Sequence, residues 1–275
     1  MRLRASSAAV VAFVLVVAVA PEANGGGGTP ITVCGQVVTT NAFLTQNLHC
    51  PSSAGVVVGA DRITIDLKGF RLRGNLSSDG IDDNGFDGVT IRNGTVRNFK
   101  FDVDAYGGAD KFTVQKVVAS GSFDYGIAVT GNSAKIQSSN VSGNTFGIEV
   151  AGDSATIQSV TASRNGEQGI TVNGNSVSVK SSTTDGNDFE GIGVTGDAAK
   201  ITSSAASGNV LEGIDVHGDA AKVTGNRTDA NGFDRGASDL SGLGIGVAGY
   251  TTAPTGTNIA WGNDDLADCS PASLC

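Results

Sequence analysis

Residues 146–174 read FGIEVAGDSATIQSVTASRNGEQGITVNG. Within that stretch Gly147-Ile148-Glu149-Val150 returns as Gly169-Ile170-Thr171-Val172. The unit extends in both directions. Tyr125-Gly126-Ile127-Ala128-Val129 precedes it, and Glu190-Gly191-Ile192-Gly193-Val194 and Glu212-Gly213-Ile214-Asp215-Val216 follow. The glycines are separated by 21, 22, 22 and 22 residues. A second aliphatic column keeps the same period: Val114, Ile136, Ile157, Val179, Ile201 and Val223, with Ile65 and Ile91 at looser spacing. Self-similarity at a fixed period of this length marks a solenoid or another repeat array.

Each unit has the chemistry of a short strand and a turn. Gly-Ile-x-Val alternates with period two, so Ile and Val face one side and x the other. A Gly-Asn or Gly-Asp turn follows, as at Gly131-Asn132, Gly152-Asp153 and Gly174-Asn175. A second strand such as Ala134-Lys135-Ile136-Gln137 comes next, then a weaker third one that runs into another Asn. Every apolar run is too short for a helix, and glycine interrupts each one. A single coil buries too few aliphatic side chains to order itself, so the units must stack, each strand bonding to the coil above and below. Asn144, Asn165, Asn187, Asn209 and Asn231 form a further column. They are expected to take the left-handed backbone of a sharp corner and to hydrogen-bond along the rod.

Other solenoids fail on particular residues. A leucine-rich repeat needs several Leu per unit, and residues 126–209 contain none. The nonapeptide calcium roll needs tandem Gly-Gly-x-Gly-x-Asp, which is absent. The column Thr130, Ala151, Asn173, Thr195, His217 lacks the uniform threonines of an ice-binding face. The fold class is therefore all-β, a right-handed parallel β-helix of about nine coils over residues 56–262.

The ends differ from the repeat. Arg2 and Arg4, the apolar run Ala8 to Ala20 and small residues up to Ala23 have the three parts of a secretory signal, expected over 1–23. The apolar core is too short to span a bilayer. Residues 24–33, with Gly25 to Gly28, are expected to be a flexible leader. Cys34 and Cys50 bracket a cap over 34–55, and Cys269 and Cys275 bracket a tail over 263–275. Local pairing, 34 with 50 and 269 with 275, is preferred among three connectivities and fits an exported protein. Cleavage after Ala23 leaves 16 basic and 26 acidic side chains. Such a charge disfavours nucleic acid and anionic membranes, and a polyanionic glycan unless a cation intervenes.

The Gly-Ile-x-Val, Gly-Asn, Ile and Ser-Gly-Asn units resemble the repeats of the pectate-lyase-like parallel β-helix superfamily. The opening Cys34-Gly35-Gln36, Leu48-His49-Cys50-Pro51, Val56-Val57-Val58-Gly59-Ala60 and Ile63-Thr64-Ile65-Asp66-Leu67-Lys68-Gly69 is similar to the cap and first coil of secreted bacterial β-helix repeat proteins. The resemblance covers roughly residues 34–275 and implies the fold. Its members include polysaccharide lyases, glycoside hydrolases, epimerases, adhesins and non-catalytic scaffolds, so fold does not assign activity. Asp82-Asp83 resembles the paired acids of the hydrolase branch, but its Asn-Thr-Asp, Gly-His-Gly and Arg-Ile-Lys runs are missing. The lyase branch sets an Arg or Lys base beside calcium-binding acids. Arg92, Arg97, Lys100 and Lys111 are available without a matching motif. Two His and one Met give few soft ligands for the copper-maturation branch.

Chemistry must lie on outward positions, because Ile, Val, Ala and Ser fill the interior. The x column reads Asp82, Asp104, Ala128, Glu149, Thr171, Gly193, Asp215. Gly213 to Gly244 spans 31 residues, so a loop containing Asp234 and Arg235 bulges beside Asp215 and His217, which share one side of a strand. Asp215, His217 and Arg235 are candidate catalytic residues, with Glu190, Glu212 and Asp234 as binding partners for a sugar or for Ca²⁺. The plainer reading is that His217 only replaces Thr195 on an exposed column. A second irregular region gathers Phe99, Phe101, Tyr106, Phe112, Phe123 and Tyr125. Tyr106 and Tyr125 are candidate glycan contacts, and several of the Phe are expected to plug the core. The functional expectation is an extracellular scaffold or polysaccharide-binding protein, with a lyase or related enzyme as the alternative.

Overall fold

The computed structural model describes residues 27–232, 244–249, 255–261 and 269–275. The signal segment 1–23 lies outside them, as do Asp234, Arg235 and the rest of the 233–243 loop. The alternation of aliphatic and polar residues resolves into three parallel sheets, here called front, back and side. Among the described residues the front sheet has 11 strands, from Gln36–Val38 to Cys269–Ser270, and the back sheet has 13. The side sheet has four, starting with Thr183–Asp185 and ending with Ile259–Trp261. Every strand pairs with its counterpart one turn away, giving a right-handed parallel β-helix of about ten turns. Apart from strands, the described residues contain one 3-10 turn, Ala272–Leu274. No helix among them is long and apolar enough to cross a membrane.

The register follows the sequence columns. Ile127 pairs with Ile148, then Ile170, Ile192, Ile214 and Ile245. In the back sheet Ile65, Ile91, Val114, Ile136, Ile157, Val179, Ile201 and Val223 follow one another. These side chains are almost wholly excluded from solvent and form one continuous core. Phe99 and Phe112 plug that core, as expected for part of the aromatic group.

The Asn column stacks as expected. Asn144 Nδ2 donates to Asn165 Oδ1 at 3.3 Å, Asn165 to Asn187 at 3.1 Å, Asn187 to Asn209 and Asn209 to Asn231 at 2.9 Å. Each acceptor oxygen also takes the backbone N–H of the preceding ladder residue. The same Nδ2 groups donate to carbonyls such as Ala162 O and Thr184 O. The expected left-handed Asn is corrected. The residue before each Asn turns the corner instead: Gly143 at φ 72°, Arg164 at 57°, Gly186 and Gly208 at 63°, Ala230 at 56°. A buried side chain bonded on both sides fixes its own backbone, so the strained conformation falls on a neighbour.

The ladder explains the glycine of each Gly-Ile-x-Val unit. A Cβ on Gly147, Gly169, Gly191 or Gly213 would meet the Nδ2 of Asn165, Asn187, Asn209 or Asn231 at 2.7–2.8 Å. On Gly191 it would also meet Gly213 O and Thr184 Oγ1 at 2.6 Å. No side chain fits there without breaking the ladder.

Both ends join the solenoid. Disulfides link Cys34 to Cys50 and Cys269 to Cys275. The expected cap and tail supply the first and last front strands. The leader is shorter than expected, because Thr29–Ile31 already pairs with Ala42–Leu44. Ile31 is fully buried, and its apolar side chain has no reason to stay in solvent.

Two glycines of one strand unit should respond oppositely to alanine. Gly191→Ala should cost about 3 kcal/mol or more by overpacking a rigid backbone contact. Gly193→Ala, whose Cβ would meet nothing within 4 Å, should stay within about 0.5 kcal/mol of the parent. Urea unfolding of both variants measures this, and equal losses would refute the packing account.

Candidate functional site

The x column stands on the outer face of the front sheet. Asp82 pairs with Asp104, then Ala128, Glu149, Thr171, Gly193, Asp215 and Gly246 in successive coils. A second outward column, one residue before each glycine, holds Tyr125, Phe146, Gln168, Glu190 and Glu212. Two patches emerge from these columns.

The first is aromatic and acidic. Phe101 stacks on Tyr125 at 5.6 Å between centroids, and Tyr125 stacks on Phe146 at 4.6 Å. Tyr106 meets Phe101 and Tyr125 edge-on at 5.8 and 6.3 Å. The Tyr106 hydroxyl donates to Glu149 Oε2 across the coil that carries Ala128. Ala128 is fully buried although it belongs to the outward column. Burial, with the Glu149 carboxylate next, raises the Tyr125 phenol to about 12 and pushes the Tyr106 phenol higher, so both stay protonated donors. The stack ends at Phe146. Where the next ring would lie there is a groove of about 190 Å³, lined by Tyr125, Phe146, Ile148, Glu149, Gln168 and Thr171.

Below the aromatic stack lie Asp79, Asp82 and Asp104. Burial, reinforced by the Asp79 charge, pushes Asp104 up to about 6. Burial likewise raises Asp79 and Asp82, and Asp82 adds repulsion at Asp79. The Lys100 ammonium sits 4.9 Å over the Phe101 ring and acts on Asp79, Asp104 and Asp124 in the opposite sense.

The second patch is the expected Asp215 and His217 pair. His217 Nε2 lies 2.9 Å from Asp215 Oδ2. Burial raises the Asp215 carboxyl, and His217 pulls it back. With Glu212, Gly246 and Ser270 the pair lines a groove of about 220 Å³. Glu190 and Glu212 fall in adjacent coils, as their spacing implies. Burial raises Glu190, a Gln168 hydrogen bond opposes this, and Asp215 and Glu167 repel it. Among the described residues no group of three or more His, Cys, Asp or Glu is placed to hold a metal ion.

The structure thus brings together Tyr106 with Tyr125 and Asp215 with His217, but sets the pairs apart along the rod. Phe123, expected within the aromatic group, is exposed apart from the ring stack. Phe146 and Glu149 belong to the first patch and were not singled out from sequence. Both occupy repeat columns, so their stacking on Tyr125 and Ala128 was available from the spacing.

Asp102 takes the place of the glycine in its coil and points inward, fully buried. Its Oδ1 accepts the Phe99 N–H at 3.2 Å, and its Oδ2 has no hydrogen-bond partner. Burial raises its carboxyl well above the usual range, against the Phe99 and Ser120 amides and the Arg97 charge.

Among known proteins, a family model described as right handed beta helix region matches residues 54–205. No curated protein matches the chain. Among solved structures it is similar to the crystal structure of pectate lyase Pel9A, at 14% identity and TM-score 0.48, covering 91% of this chain and 82% of that one. It is also similar to the A-module of the Azotobacter vinelandii mannuronan C-5 epimerase AlgE4, at 14% identity and TM-score 0.42, covering 85% and 83%. Likeness at this level assigns no residue a role.

A protonated Asp102 is nearly isosteric with asparagine, so Asp102→Asn should leave acid stability unchanged. The raised carboxyl contributes fully below its unfolded value of 3.8 and loses that contribution as pH rises through its folded value. The variant should therefore be more stable than the parent at neutral pH, on the order of 1–3 kcal/mol. Unfolding midpoints across pH test this, and parallel profiles for the two proteins would refute it.

Proposed function

Since the chain belongs to the right-handed β-helix family, whose fold serves unrelated activities, we propose from its surface that it is an extracellular glycan-binding protein. One observation carries the reading: the groove at the open end of the Phe101–Tyr125–Phe146 stack. An aromatic ring supplies a flat apolar face for the C–H face of a sugar, and the walls supply polar partners for its hydroxyls. Glu149, Gln168 and Thr171 stand there as acceptor and donor groups. At about 190 Å³ the groove is smaller than a typical small-molecule cavity, and it holds one sugar unit of a longer chain. The two disulfides support an oxidising compartment, as does the signal expected over 1–23.

A second reading, a polysaccharide lyase or related carbohydrate-active enzyme, is favoured by the Asp215–His217 hydrogen bond. A carboxylate that orients an imidazole prepares it as a general base. Arg235 and Asp234 belong to the same proposal by their place in the sequence, within the 31-residue interval from Gly213 to Gly244.

Binding is tested by affinity electrophoresis and calorimetry over a polysaccharide panel. Phe146→Ala and Gln168→Ala should each weaken retention about tenfold, near 1.4 kcal/mol, with the fold intact by circular dichroism. Unchanged retention in both would sink the groove. Any turnover of the same panel should vanish in the Asp215→Asn/His217→Ala double variant. Undiminished turnover there would remove the second patch from the chemistry.

A further inference from the structure

The charge of the bound glycan follows from how ionic groups divide between the sheets; this rests on the glycan-binding reading. Among the described residues no strand of the front sheet contains a Lys or Arg. Its outer face carries seven carboxylates between Asp79 and Asp215, most of them half-buried. The strands of the back sheet hold nine Lys or Arg, including Arg92, Lys135, Lys180, Lys200 and Lys222, against one carboxylate, Asp66. A uronate polymer would meet repulsion from the front-face carboxylates. A neutral polymer would draw nothing from their charge.

The aromatic patch already shows what it accepts. The protein's own primary ammonium, Lys100 Nζ, sits over the ring that begins the stack, within the influence of Asp79, Asp104 and Asp124. The far end of the stack repeats this arrangement. Phe146 offers a ring and Glu149 a carboxylate, and no Lys or Arg lines the groove between them. Ring and carboxylate together favour an ammonium group over a neutral one.

We propose that the groove at Phe146 and Glu149 recognises a glycan bearing free primary amines, a polymer of deacetylated amino sugars. Glu149 pairs with the ligand ammonium while Phe146 packs against the sugar ring beside it. The polar Gln168 and Thr171 walls meet the hydroxyls.

Calorimetry on the mature, disulfide-bonded protein tests this with four probes at near-neutral pH: a glucosamine oligomer, its N-acetylated counterpart of the same length and linkage, an oligogalacturonate and a lysine oligopeptide. The glucosamine oligomer should bind about tenfold more tightly than the acetylated one, with the gap narrowing as salt is added. Glu149→Gln, which keeps an acceptor for Tyr106, should abolish that gap, the glucosamine oligomer losing far more affinity than the acetylated one. Equal or tighter binding of the acetylated or galacturonate oligomer would overturn the amine specificity and leave glycan binding standing. Tighter binding of the peptide would overturn it in favour of a cationic polypeptide. Binding of none of the oligosaccharides would overturn both readings.

Discussion

The whole rod depends on a buried amide. From Asn144 to Asn231 one carboxamide per coil lies inside the corner, bonded to the coil on either side and to a backbone carbonyl. An amide excluded from water is costly unless its donors and acceptor are used, and only an identical neighbour one coil away meets that need repeatedly. The ladder therefore enforces register. Slipping a coil by one residue would strand several buried polar groups at once. It also dictates the glycine of the most visible motif, since the amides occupy the space where Cβ atoms would stand. At another corner, where the column runs Ser182, Ser204, Asn226, a second amide pair forms near the C-terminal end. Asn226 Nδ2 donates to Asn258 Oδ1 at 2.9 Å, and Asn258 Nδ2 donates to Leu274 O at 2.8 Å, joining the disulfide tail to the last turns.

With the interior committed to this repeat, variation is confined to outward columns. A strand places alternate residues outside, and stacking sets each beside its counterpart about 4.8 Å away. Repeated choices then add along the rod. Carboxylates recur on the front sheet and cations on the back sheet, so a net-acidic chain still presents two faces of opposite character. Like charges so close resist ionisation together, which is why repulsion adds to burial at Asp79 and Asp104, while burial raises Asp82.

The columns were legible because a period of 21 or 22 residues needs no knowledge of tertiary structure. The pairing of Asp82 with Asp104, and of Thr195 with His217, follows the spacing directly. The corner was misread for an equally physical reason. Asparagine favours left-handed backbone as an isolated residue, but here its side chain is claimed by neighbouring coils, and Gly143 or Arg164 bends in its place. Tyr106 and Tyr125 stood out by type, whereas Phe146 and Glu149 look ordinary until their columns are superposed on those of the preceding coil. Whether a Phe faces in or out was equally closed to inspection by type. Phe99 is fully buried and Phe101 is not, and both sit in one short irregular segment.

The aromatic patch arises where the repeat is stretched. In each regular coil the exposed turn Asx follows its x residue by four positions, as Asn132 follows Ala128 and Asp153 follows Glu149. Asp110 follows Asp104 by six, yet Asp110 still accepts the Asn132 N–H and donates its own N–H to Asp87. The two surplus residues cannot enter the ladder, so they bulge around Gly107 and Gly108 beside Tyr106. A side chain in a regular column reaches only the adjacent coil. Tyr106, at the foot of this widened turn, reaches over Ala128 to Glu149 two coils on. The same coil replaces its glycine with Asp102, opposite Ser122, where the first full amide of the ladder has not yet appeared. Relaxing the ladder at its first turn thus permits both the buried acid inside and the raised tyrosine outside. The regular coils hold the site in place, and this widened turn gives it a shape the repeat alone could not make.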